Sequence, residues 1–157
     1  MNLSPEATQA PHAARAAWMR VMALAEPAAL AQACAALGEL PAYRTLRAPE
    51  TGMAMVRGRA GGTGAQFNVG EVSVTRCTVA FDDGVMGTAY VRGRAPRHAE
   101  QAAVLDGLLQ MPAWHERVRE AVIEPLAQAH AAKAANRAAV AAQTRVDFFT
   151  MVRGEDA

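Results

Sequence analysis

The sequence predicts an α+β fold, an antiparallel sheet of about four strands flanked by N-terminal and C-terminal helices, on three observations. Apolar residues recur at helical spacing at both ends of the chain. The stretch between Tyr43 and Gly93 breaks into short β-prone runs punctuated by glycine. An Asp-Gly step then joins the last two of those runs. A chain of 157 residues fits one domain with room for a core, so 1–157 reads as one unit, with 1–10 expected to be flexible and 127–157 to form a helix and tail that dock on a partner.

Ala14, Ala17, Trp18, Val21, Met22, Leu24 and Ala25 keep a helical period, with Pro11 acceptable in a first turn, and predict an amphipathic helix. Pro27 starts a shorter helix through Leu30, Ala33, Cys34 and Leu37, which Gly38 stops in the left-handed conformation. The β-prone runs are Tyr43–Leu46, Met53–Arg59, Val69–Phe81 and Val85–Arg92. In the third, Val72 and Val74 share one face while Cys77, Val79 and Phe81 continue on the opposite parity, which predicts a bulge or sharp bend near Thr75 and Arg76. Asp82-Asp83-Gly84 supplies the positive φ of a tight turn and makes the last two strands antiparallel neighbours.

Helical spacing returns after Pro96 with Val104, Leu105, Leu108 and Leu109, and Pro112 restarts it through Trp114, Val118, Val122 and Leu126. Pro125 is expected to kink or split this helix. Ala127 to Ala142 has good helix propensity and little to bury, so it projects or lies against a partner. The closing segment from Thr144 to Gly154 is more apolar than an exposed terminus and calls for a cover.

A formal charge of +1 with 20% charged residues gives no bulk field for nucleic acid or an acidic membrane. No run of about 18 apolar residues is present, and the N-terminus lacks a signal-peptide pattern, so a cytoplasmic location is expected. Cys34 and Cys77 read as buried free thiols. Lys133 is the single lysine, which leaves phosphate or carboxylate recognition to arginine.

Gly61-Gly62-Thr63-Gly64 is open to two readings, an anion cradle of backbone amides or a plain turn between strands. It is neither a dinucleotide fingerprint, since Phe67 stands at the third glycine, nor a Walker loop. His98 and Glu100 open a predicted helix close to Arg92, Arg94 and Arg97. A histidine there either contacts phosphate and relays a proton or makes a structural hydrogen bond. Arg57, Arg59, Arg76, Arg92 and Arg94 form either a basic patch or a solvated sheet face. The Val56–Ala60 pentapeptide recurs as Val91–Ala95 in unmatched surroundings and reads as coincidence. His98-x-Glu100 has no Pro-Cys-x-x-Cys half, and two separated cysteines do not hold an iron-sulfur cluster, so no metal site is expected.

Taken together, Glu50-Thr51-Gly52, Gly61 to Gly64 with Phe67, Gly70-Glu71, Thr75-Arg76, Gly93-Arg94, His98-Ala99-Glu100, Asp106 and Arg145 to Gly154 resemble the PhnG family of the bacterial carbon-phosphorus lyase system. Gly107 stands where that family leads one to expect alanine. The resemblance implies a subunit that assembles with PhnI most closely and with PhnH, PhnJ and PhnL. It implies ATP and a phosphonate as substrates, adenine being displaced to give ribose 1-phosphonate 5-triphosphate, with the iron-sulfur cluster and S-adenosylmethionine on PhnJ and no cofactor on this chain alone. The expected site residues are His98 as a catalytic group, Gly61, Gly62, Thr63, Gly64, Arg76 and Arg94 for anions, and Arg145, Asp147, Phe148, Phe149, Met151 and Arg153 for partner docking. A non-catalytic scaffold that only assembles the other subunits is the alternative.

Overall fold

A computed structural model of the protein describes residues 5–143, with side chains from His12 onward. The order is α1 (Pro5–Leu24), α2 (Pro27–Ala36), β1 (Tyr43–Arg59), a 3-10 turn (Ala60–Gly62), β2 (Gln66–Phe81), β3 (Met86–Arg92), α3 (Pro96–Gln110), α4 (Pro112–Val118), a π-helical segment (Arg119–Ile123) and α5 (Glu124–Gln143). The strands form one antiparallel sheet in the order β1-β2-β3. This is the expected α+β arrangement, with helices on both sides of the sheet in sequence. Residues 1–4 and 144–157 lie outside the described residues, and with them the predicted docking residues Arg145, Asp147, Phe148, Phe149, Met151 and Arg153.

The strand number is three because the runs Tyr43–Leu46 and Met53–Arg59 are the two ends of β1. Between them the register against β2 shifts twice, from Thr45 to Arg47 and from Arg47 to Glu50. Pro49, which has no N–H for the ladder, falls in that interval. The bulge expected near Thr75 and Arg76 is therefore on the strand opposite, and β2 runs through these residues without a shift. Thr75, Cys77, Val79 and Phe81 all point into the core and are at most 4% exposed, so the alternation holds, with a threonine hydroxyl occupying one inward position. Val72 and Val74 belong to the other face.

The turn after Phe81 forms as its Asp-Gly step requires, with Gly84 at φ +87° and the Phe81 amide donating to Val85 O at 2.9 Å. Gly38, at φ +73°, ends the segment after α2. Pro125 splits the C-terminal helix as expected. Lacking an N–H, it cannot serve the carbonyl one turn back, and the preceding five residues widen so that the Glu124 amide donates to Arg119 O.

Helix α3 lies across β2 and β3 and is buried along almost its whole length. Leu105, Leu108 and Leu109 meet Cys77, Val79, Ala89 and Val91 of the sheet, and Met22, Leu30, Leu37, Val118 and Val122 close the core around them. Full burial of each such side chain contributes about 1.5–3 kcal/mol. Two glycines set the distance between helix and sheet. A Cβ on Gly87 of β3 would overlap the Ala103 carbonyl and come within 2.6 Å of the Gly107 nitrogen, and one on Gly107 would strike the Phe81 ring. Glycine at 107, unexpected in a helix, is explained by that ring.

Asp106 is fully buried and accepts from donors on two other elements, α1 and β3. Arg15 of α1 grips it through Nε (3.2 Å) and Nη2 (2.7 Å), Trp18 Nε1 donates at 2.9 Å, and the Thr88 amide of β3 donates at 2.9 Å. Gln110, one turn along α3, donates to Met86 O at 2.9 Å. The free edge of β3 is thus capped by helix side chains, which protects an edge strand from pairing elsewhere. Truncating Asp106 to Ala leaves a guanidinium, an indole N–H and a strand amide without their acceptor and should cost about 3–5 kcal/mol. Gly87→Ala drives a methyl into backbone and should cost about 3 kcal/mol or more, whereas Gly107→Ala meets a ring edge that can turn and gains helix propensity, so its loss should be smaller. Urea unfolding midpoints of the three variants test this order.

Candidate functional site

Strand β3 pairs only with Val74–Ala80, so beyond Val74 the sheet continues as two strands, β1 and β2, with both faces in solvent. This arm ends in the 3-10 turn at Ala60–Gly62. It displays large apolar side chains, with Met53 and Val69 each 60% exposed and Met55, Val56 and Phe67 also open. Gly58 leaves room for Val69, whose Cγ2 would lie 2.7 Å from a Cβ there, in the stretch where β2 carries an extra residue.

Where the arm joins the body, a cleft of about 330 Å³ opens between Glu50, Thr51, Gly52, Val74, Arg76 and Tyr90. Glu50 Oε1 accepts from Arg47 Nη1 at 2.5 Å and from Arg76 Nε at 2.6 Å. These hydrogen bonds, Arg47 first and Arg76 second, hold the Glu50 carboxyl below the usual range. The group is solvent-exposed, so the pair orients the arginines more than it stabilises the fold. Beneath the cleft, Thr75 Oγ1 donates to Gly93 O at 2.6 Å and accepts from the Ala95 amide at 3.1 Å. Its proton being used, Thr51 must donate to it across their 3.0 Å contact. Gly93, at φ +90°, donates its amide to Ser73 O at 2.7 Å. The sequence pieces Glu50-Thr51-Gly52, Thr75-Arg76 and Gly93 therefore meet at one place, the root of the arm.

Of the other predicted residues, Arg94 follows Gly93 beside the root and the rest are elsewhere. Gly61 to Gly64 sit at the arm's tip, past the end of β1 at Arg59, which is nine residues from Glu50 and so roughly 30 Å away at about 3.3 Å per residue. Gly61 (φ +59°) and Gly62 (φ +79°) are the turn's left-handed positions, and the amides of Thr63 and Gly64 both turn to Ala60 O. Arg59 Nη1 closes the turn on Gly64 O at 2.8 Å. Arg94 is exposed just after β3. His98 is 6% exposed, and its Nε2 donates to Met22 O at 2.7 Å, tying α3 to the end of α1. Of the five arginines considered as one patch, Arg57 and Arg59 lie on the arm, and Arg76, Arg92 and Arg94 lie at or beside its root.

A second cleft, of about 500 Å³, separates α2, α3 and β1, with Cys34, Leu40, Tyr43, Arg97, Glu100 and Gln101 on its walls. Tyr43 Oη donates to Glu100 Oε1 at 3.1 Å. Burial pushes the Cys34 thiol up to about 11 and, with the Glu100 charge, raises Tyr43. Neither is a ready nucleophile at neutral pH. Glu50, Tyr90 and Thr75 were not singled out for a site by sequence reasoning. The signal available was the nearness of the short motifs, which only strand pairing reveals. Among the described residues no group of three or more His, Cys, Asp or Glu side chains is placed to hold a metal ion, and no helix is long and apolar enough to cross a membrane.

Open clefts lined by charged side chains, together with an arm that displays apolar surface, define an α+β protein built to meet other surfaces. The chain belongs to the PhnG family. The family described as phosphonate metabolism protein PhnG matches residues 13–154. A protein of Rhizobium meliloti (strain 1021), alpha-D-ribose 1-methylphosphonate 5-triphosphate synthase subunit PhnG, is 40% identical over 156 residues, 99% of each chain.

The thiol shift sets a measurable reactivity. With its pKa near 11, Cys34 is about 0.1% thiolate at pH 8, against roughly 25% for an ordinary thiol of pKa near 8.5. Alkylation of the native protein at Cys34 by iodoacetamide should therefore run about two orders of magnitude slower than in the urea-unfolded chain, as peptide mass spectrometry would show.

Proposed function

We propose that this chain is a subunit of a synthase that makes α-D-ribose 1-methylphosphonate 5-triphosphate, and that it works in the cytoplasm with PhnI as closest neighbour and with PhnH, PhnJ and PhnL. The observation that carries this reading is the 40% identity to a synthase subunit along 99% of both chains. In the reaction, a phosphonate oxygen forms a bond to the anomeric carbon of ATP's ribose as the bond to adenine breaks, and the adenine nitrogen takes up a proton. The protein's task is to place two anionic reactants together and favour the departing base. Cleavage of the carbon-phosphorus bond, with the iron-sulfur cluster and S-adenosylmethionine, falls to PhnJ.

On this chain, Arg76 and Arg94 beside the root of the arm, and Gly61 to Gly64 at its tip, are the anion-binding contributions. Arg76 is preset by Glu50, and an incoming phosphonate or phosphate oxygen would compete with that carboxylate for the guanidinium. The separation of tip and root means that they serve different neighbours in the assembly. His98 is kept as a candidate catalytic group, although its bond to Met22 O favours positioning α3.

A second reading, a scaffold without reacting groups of its own, is favoured by the displayed apolar arm. Burial of Met53, Met55, Phe67 and Val69 in a partner would gain about 1.5–3 kcal/mol each at full burial. The tail residues Arg145, Asp147, Phe148, Phe149, Met151 and Arg153 are proposed as a second docking element.

Two experiments separate these readings. Co-expression with the PhnI-, PhnH- and PhnJ-type proteins should give a complex that Phe67→Asp with Val69→Asp, or truncation after Gln143, disrupts. A complex untouched by both changes would remove the arm and the tail from the interface. Within the intact complex, Arg76→Ala should lower adenine release from ATP plus methylphosphonate by tenfold or more, as loss of a preorganised charge does, while His98→Gln should leave the rate within a few-fold. Full activity in Arg76→Ala would leave the scaffold reading standing.

A further inference from the structure

A third cleft, of about 170 Å³, lies where β3 ends beside Val74, on the α1 side of the sheet, between the end of α1 and one face of α5. Its walls carry Arg92, His130, Lys133 and Arg137, with Leu24 and Glu26 completing them. His130, Lys133 and Arg137 fall at i, i+3 and i+7 and so share one stripe of α5. Arg92, the last residue of β3, faces that stripe from the opposite wall. Lys133 Nζ pairs with Glu26, and that hydrogen bond, with the Lys133 and Arg137 charges, holds the Glu26 carboxyl below its usual range.

The charges in this cleft do not balance. Three permanent cations, Arg92, Lys133 and Arg137, face one carboxylate, Glu26, which leaves two positive charges in excess even with His130 neutral. Neither Arg92 nor Arg137 forms a hydrogen bond or ion pair with any described residue. Like charges converging on one hollow repel unless an anion sits between them. The volume, at about 30 Å³ per water, corresponds to about six waters, which suits a tetrahedral oxyanion and is small for a nucleoside. The wall residues include no Phe, Tyr or Trp ring on which a base could stack, the His130 imidazole being the one aromatic group among them. Guanidinium groups reaching in from two sides match phosphate oxygens in the bidentate manner that a lone ammonium does not.

We propose that this cleft binds a phosphate-type oxyanion, inorganic phosphate or pyrophosphate or the end of a phosphate chain carried on a larger molecule. Arg92 and Arg137 grip the oxygens, Lys133 adds charge, and Glu26 tunes the affinity downward by holding Lys133. The cleft lies at the same end of β3 as the root of the arm but shares no lining residue with the cleft there, and it does not depend on the reaction proposed above, so either can fail alone.

The test is isothermal titration of the full-length chain, in a buffer free of phosphate and sulfate, with pyrophosphate and then inorganic phosphate. One site is expected, weakened at least fivefold by Arg92→Ala and by Arg137→Ala and tenfold or more by the double change. Arg92→Lys should retain most of the binding, and Glu26→Gln should strengthen it a few-fold by releasing Lys133. Arg44→Ala, on β1 opposite Ala80 at the other end of the sheet, should change nothing. ATP binding as tightly as pyrophosphate would assign the site to a carried phosphate chain, and pyrophosphate alone to the free anion. Absence of binding, binding indifferent to Arg92 and Arg137 in variants whose circular dichroism matches the parent, or capture only of an acidic peptide overturns the proposal.

Discussion

The fold turns on one buried carboxylate. Asp106 sits on α3 in the middle of the core, and its two oxygens take donors from α1, through Arg15 and Trp18, and from the backbone of β3. A lone buried carboxylate would be costly, but here a bidentate guanidinium and two neutral donors satisfy it. The consequence is positional. A hydrophobic contact between α3 and the sheet would permit sliding, whereas a hydrogen bond to the Thr88 amide fixes the helix to one residue of the strand. That register in turn places Ala103 over Gly87, where a Cβ would strike backbone, and Gly107 over Phe81, where it would strike the ring. The same docking presents the start of α3, with Gly93 and Ala95 bonded to Ser73 and Thr75, at the root of the arm.

Because the body is locked on β3 and the near half of β2, the far halves of β1 and β2 receive no support from it. A two-stranded ribbon alone in water is marginal. Its persistence with exposed Met53, Met55, Phe67 and Val69 makes sense where another surface supplies the burial that the body does not. Membership of a family whose curated relative is a synthase subunit accords with that physical argument, which stands on the ribbon alone.

Much of the fold was legible because local chemistry decides it. Pro27, Pro96 and Pro112 begin helices, Gly38 and Gly84 adopt the positive φ their positions demand, and Pro125 forces the widened turn before it. What was not legible depended on pairing. The parity of Val72 and Val74 against Cys77 looked like a slip in β2, but Thr75 keeps the inward series going, and the extra residues lie on β1 around Pro49. A polar residue at an inward position carries no hydrophobic signal, so a buried hydroxyl that organises Thr51, Gly93 and Ala95 reads as an interruption. The site shows the same limit. Arg76 was recognisable as an anion-binding residue by type, but its partner Glu50 lies 26 residues away and becomes its neighbour only through the strand register.

The distribution of charge completes the argument. A near-neutral chain offers no general attraction to anions, yet its arginines are not paired evenly. Arg15 is consumed by Asp106, Arg59 by the turn it closes, and Arg119 by Glu116 and Glu124. Arg76 is shared with Arg47 on one carboxylate, and Arg92 and Arg137 are left over at opposite walls of one cleft. Arg15 and Arg59 thus serve the fold through a buried or a backbone acceptor, and Arg119 through exposed helix carboxylates. Arg76, whose partner is exposed and replaceable, and Arg92 and Arg137, which have none among the described residues, line two separate clefts. An anion arriving at either meets guanidinium groups already oriented and free of any buried commitment, so binding there does not have to break the bonds that hold the fold.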